Sequence, residues 1–179
     1  MDQKAKSKIK KIHSLISSLD SKYSSLLGYF IRDPARQNVA TLATSRTLSG
    51  VIDLFEEIMF AEESLKFTFD DLVTDYIKYV SGEDLDKIFG RYYKMIQGSK
   101  KRFYNMVSFD KNKPIQDSSL IRFTGQLTHL KDPIIELIHK LHTRSENTFN
   151  EINQFKSLIS RKGRGIEEND RGNIPRKYM

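Results

Sequence analysis

An all-α helical bundle is the fold this sequence predicts, and three observations predict it. Apolar residues recur at alternating spacings of three and four along most of the chain. No segment alternates apolar and polar residues as a half-buried strand does. Asp-Pro and Ser/Thr-x-x-Asp signals stand where the periodic runs begin. The expectation is a bundle of five to seven helices over residues 1–160, with a long heptad-patterned N-terminal helix, followed by a flexible, disordered basic tail over 161–179.

The first helix carries the clearest pattern. Ile9, Ile12, Ile16, Leu19, Tyr23, Leu26 and Phe30 form a heptad seam about three heptads long, with Ser and Lys between. Such a seam packs against another helix, in the same chain or in a partner. Asp33-Pro34 ends it and starts a second helix from about Ala35 to about Leu65, with Gly50 inside. Thr68 with Asp71 resembles a capping box and predicts a separate short helix ending near Gly82. Ser81 with Asp84 repeats the signal and opens another, on Leu85, Ile88, Phe89, Tyr92, Met95 and Ile96, stopped at Gly98. A brief helix near Lys100–Ser108 follows, then an exposed loop over Asp110–Asp117. Ser118 or Ser119 caps a helix to about Lys131. Asp132-Pro133 begins a long last one, with Ile134, Ile138, Leu141, Ser145, Thr148 or Phe149, Ile152, Phe155 and Ile159 on one face. From Arg161 the periodicity is lost among Gly163, Gly165, Gly172 and Pro175.

Composition narrows the function classes. The 179 residues include no Cys, which excludes disulfides, thiolate metal sites and a Cys nucleophile. No apolar run approaches the roughly 18–20 residues of a membrane span. The basic start, Met1–Lys11, lacks the apolar core of a signal peptide. A cytoplasmic setting is expected, a host cytoplasm or virion if the protein is viral. The wealth of Lys, Ile, Ser and Asn beside five Ala is associated with the AT-rich genomes of many phages, viruses and Gram-positive bacteria.

Charge is strongly segregated. The net charge is +7. Residues 53–86 hold eleven acids against Lys66 and Lys78, a net −9, so the rest of the chain carries +16. Lys87, Arg91, Lys94, Lys100, Lys101 and Arg102 fall within residues 87–109, which contain no acid. Tyr92, Tyr93, Phe103, Tyr104 and Phe109 are interleaved with them. Cations track phosphates and aromatic rings stack on bases, so this pattern suits single-stranded nucleic acid. The acidic segment repels nucleic acid and either pairs with basic helices inside the bundle or docks a basic face of another copy.

Catalytic patterns are sparse. Glu136-x-x-His139 is one step of a di-iron bundle site, but no second step accompanies it, so no metal or cofactor is expected. There is no phosphate-cradling Gly-rich loop and no nucleophile elbow. Arg122-x6-His129 on a predicted helix is similar to the Arg-x4–6-His motif of the HEPN ribonuclease family. That resemblance covers eight residues and implies Arg122 and His129 as a catalytic pair at a dimer interface. Phe123 stands where that family commonly has a polar residue.

The expected function is therefore non-catalytic. The chain binds RNA or DNA, independent of sequence, as a subunit of a ribonucleoprotein, a coat or a replication complex. The nucleic-acid residues are Lys87, Arg91, Tyr93, Lys94, Lys100, Lys101, Arg102 and Tyr104. The alternative is a self-assembling structural protein, possessing a protein interface at Ile9, Ile12, Ile16, Leu19, Tyr23 and Leu26 and oppositely charged faces. A homo-oligomer or protein assembly is expected in either case, with no membrane and no small-molecule substrate.

Overall fold

A computed structural model describes residues 2–30, 45–107 and 131–171. The described residues are helical or turn, with no strand among them. The elements are α1 (Gln3–Phe30), α2 (Ser45–Asp75), a 3-10 turn (Ile77–Tyr79), α3 (Gly82–Met95), a π turn (Ile96–Lys100), α4 (Lys101–Met106) and α5 (Lys131–Arg171). The Asp33-Pro34 start, the Asp110–Asp117 loop and the helix from Ser118 lie outside the described residues.

Side-chain contacts give the topology. Lys8 pairs with Asp71 and Lys22 with Glu57, so α1 and α2 are antiparallel. His13 meets Arg91 and Asp20 meets Ser99, so α3 with its π turn runs parallel to α1. Glu63 meets Arg144 and Lys66 meets Glu151, which makes α5 parallel to α2. Tyr92–Phe149 and Tyr104–His142 ring contacts set α5 antiparallel to the α3–α4 rod. The four rods therefore form a ring in the order α1, α2, α5, α3–α4. Across its middle, Phe69 of α2 stacks on Phe89 of α3 at 5.7 Å.

The core follows from the apolar stripes. Ile9, Ile12, Ile16, Leu19, Tyr23 and Leu26 are all buried within the chain. The seam offered as a protein interface is thus consumed by α2 and α3, and this corrects its assignment to a partner. Phe103 of α4 fills the upper core against Tyr23 (6.2 Å) and Phe55 (6.3 Å).

Two helix boundaries differ from expectation. Thr68 is not a cap: α2 is continuous to Asp75, and the Thr68 hydroxyl donates to the Ser64 carbonyl at 2.7 Å. Phe55, Ile58, Leu65, Phe69 and Leu72 keep one buried stripe through that point, and neither Gly nor Pro interrupts it. At the other end, α5 does not stop at Arg161 but runs to Arg171. Extending a formed helix needs no new nucleus, and the Arg, Lys and Glu there are good helix formers, which offsets Gly163 and Gly165. Residues 172–179 lie outside the described residues.

The α3 boundaries follow the sequence closely. Ser81 is the N-cap, its Oγ accepting from the Asp84 backbone N–H at 3.1 Å. Replacing Ser81 with Ala is expected to lower stability by about 1 kcal/mol, read as a lower urea midpoint at unchanged m. At Gly98 the backbone leaves helical geometry (ψ −107°), and the chain turns directly into α4.

Candidate nucleic-acid interface

The structure divides the eight expected nucleic-acid residues into three groups. Lys94, Lys101 and Arg102 are exposed and make no ion pair among the described residues. Tyr93, next to Lys94 in the sequence, is 56 % exposed. Lys87 and Arg91 are exposed but engaged. Lys87 donates to Glu83 at 2.6 Å, and this pair holds the Lys87 ammonium above its ordinary pKa. The Arg91 guanidinium ties α3 to α1 through Ser17 and through His13 Nδ1 at 3.3 Å. Burial, and then the Arg91 charge, pushes the His13 pKa down, and Nδ1 is the acceptor in this contact because a guanidinium only donates. Lys6 and Lys10 precede His13 by seven and three residues and share that flank of α1, exposed.

Lys100 and Tyr104 are corrections: both are buried and absent from this surface. Their positions explain it. Lys100 follows Ile96 by four residues and precedes Phe103 by three, so it continues the apolar stripe of the α3–α4 rod. Both side chains belong to a polar cluster inside the bundle.

Glu62 is the centre of that cluster and was not singled out by the sequence pattern. It stands between Ile58 and Leu65 on the buried stripe of α2, which is the signal that places it inside. Its Oε1 accepts from Tyr23 Oη at 3.0 Å and from Ser145 Oγ at 2.6 Å. The two hydroxyls also approach each other to 2.6 Å. Burial pushes the Glu62 carboxyl upward, against the opposing pull of the Lys100 charge and the two hydroxyls. Burial likewise pushes the Lys100 ammonium down, while Glu62 and Glu146 resist. Glu62 Oε2 has no hydrogen-bond partner among the described residues.

Three acids of α2 are paired across the bundle. Asp71 and Glu57 bind Lys8 and Lys22 of α1, and Glu63 binds Arg144 of α5. Acidic and basic helices therefore pair within the bundle, one of the two arrangements the charge pattern allows. Glu136 and His139 are exposed on α5. Among the described residues no cluster of three or more His, Asp or Glu side chains is grouped to hold a metal ion. Arg122 and His129 lie outside the described residues. No helix among the described residues is long and apolar enough to cross a membrane. Comparison with the profiles of known families, with curated proteins and with solved structures returns no match.

Proposed function

We propose that the protein is a non-catalytic nucleic-acid-binding subunit that grips the phosphate backbone without reading sequence. One observation carries this reading. Lys94, Lys101 and Arg102 are exposed on the α3–α4 rod with no ion pair among the described residues, whereas Glu57, Glu63 and Asp71 of α2 are paired with cations of α1 and α5. Uncompensated cations release counterions from a polyanion on binding, and this release drives association. Tyr93 offers a ring for base stacking next to Lys94. Lys6 and Lys10 extend the positive surface onto α1. A subunit of this kind works in a ribonucleoprotein, a coat or a replication complex, and a cytoplasmic or virion setting fits it.

Lysine acetylation with and without a 30-nucleotide single strand tests the assignment. Lys94 and Lys101 should be protected by the strand, while Lys140, exposed on α5, stays reactive. Equal labelling in both samples, or protection of Lys140 alone, would count against this surface.

A further inference from the structure

Two phenylalanines of α2 are exposed. Phe60 is 72 % exposed and Phe67 is 59 % exposed. They are seven residues apart on α2, so they lie on one line of the helix surface, opposite the buried stripe of Phe55, Ile58, Leu65 and Phe69. Exposed acids flank them: Asp53, Glu56 and Asp70 beside the engaged Glu57, Glu63 and Asp71. The ridge is thus two apolar knobs in a negative frame.

A matching hollow lies elsewhere on the same chain. A cavity of about 570 Å³ opens between the 3-10 turn, the start of α3 and the C-terminal half of α5. Ile77, Val80, Leu85, Phe89 and Ile159 give it apolar walls. Lys78 and Lys156 line its exposed side, against the single acid Asp86. Lys156 Nζ lies 5.5 Å from the Phe89 ring centroid. The ridge faces outward from α2 and the hollow lies between α3 and α5, so one copy cannot fill its own hollow.

We propose that the Phe60–Phe67 ridge of one copy docks in the lysine-edged hollow of the next. Charge selects this occupant. Two α2 ridges facing each other would set acid against acid, which disfavours a symmetric dimer through α2. Ridge into hollow sets acids against lysines and rings against an apolar wall. Because the two surfaces differ, the contact is head to tail and repeats from copy to copy. It leaves Lys94, Lys101 and Arg102 outside the junction, so a row of copies presents a row of phosphate-binding surfaces.

The test uses the full chain without nucleic acid, so its failure leaves the nucleic-acid reading standing. Wild-type mass by light scattering should rise with concentration. Phe60→Ser/Phe67→Ser removes the ridge, and Lys78→Glu/Lys156→Glu reverses the edge of the hollow. All four positions are exposed, and circular dichroism checks that both variants keep the fold. Each variant alone should be a monomer, and the two mixed should form a 1:1 dimer that grows no further. Three results would overturn the proposal: a monomeric wild type at every concentration, which assigns the ridge to a different partner; self-association that survives Phe60→Ser/Phe67→Ser; or a mixture that stays monomeric although the wild type associates.

Discussion

Lys100→Met is expected to destabilise the fold by about 3 kcal/mol at pH 8, the scale for leaving a buried charge without its opposing charge. Lys100 and Glu62 both sit in the bundle interior, and each holds down the cost of the other's charge. Without the ammonium, Glu62 is left beside two hydroxyls that stabilise its ionised form only in part. The sign of the pH dependence follows from linkage. The folded Glu62 pKa is raised, so the folded state binds its proton more tightly than the unfolded chain does. The stability this group contributes is present below the ordinary carboxylate pKa and is lost as pH rises through the folded value. Lys100→Met raises that folded value further, so its deficit should be small at pH 5 and largest at pH 8. Adding Glu62→Gln to Lys100→Met should recover most of the loss, because no buried charge is then left alone. Urea denaturation at the two pH values measures all of this. A pH-independent cost below about 0.5 kcal/mol, the size usual for a surface change, would show that Lys100 is solvated rather than buried.

Reversing Lys94, Lys101 and Arg102 to Glu is expected to weaken single-strand binding by about 100-fold or more at 0.1 M salt. Each phosphate contact contributes about −0.7 to the slope of log K against log salt for a single strand. Removing three contacts should flatten the slope by about 2. Lys87→Glu should do less, since Lys87 is already paired with Glu83. Arg91→Glu should instead lower stability, because Arg91 links α3 to Ser17 and His13 of α1. That ordering separates a localised surface from a diffuse effect of net charge, under which every lysine would count equally.

The bundle was legible in the sequence because its stripes are regular. The α1 seam, the Ser81 cap and the buried Ser145 on the last helix all stand where the three-and-four spacing puts them. Thr68 misled because Thr-x-x-Asp marks a cap only where the backbone leaves the helix. Inside α2 the same hydroxyl is satisfied by the Ser64 carbonyl. The exposure of the proposed surface was half legible. Counting cations and aromatic rings along residues 87–109 ignores the face each occupies, and so it included the buried Lys100 and Tyr104. Following the stripe Tyr92, Ile96, Lys100, Phe103 would have moved Lys100 inside. Glu62 was counted among the acids of a negative segment for the same reason. Partner choice is not written in any one helix: the α2 acids find Lys8, Lys22 and Arg144 only once the chain has brought α1 and α5 alongside.

Fluorescence anisotropy of a labelled 30-nucleotide single strand, titrated with wild-type protein across a salt series, tests the central claim most directly. Binding should be micromolar or tighter at low salt. Log K should fall linearly with log salt, with a slope of at least about −2, matching three or more phosphate contacts. Absence of binding at low salt, or binding that salt does not weaken, would contradict the account.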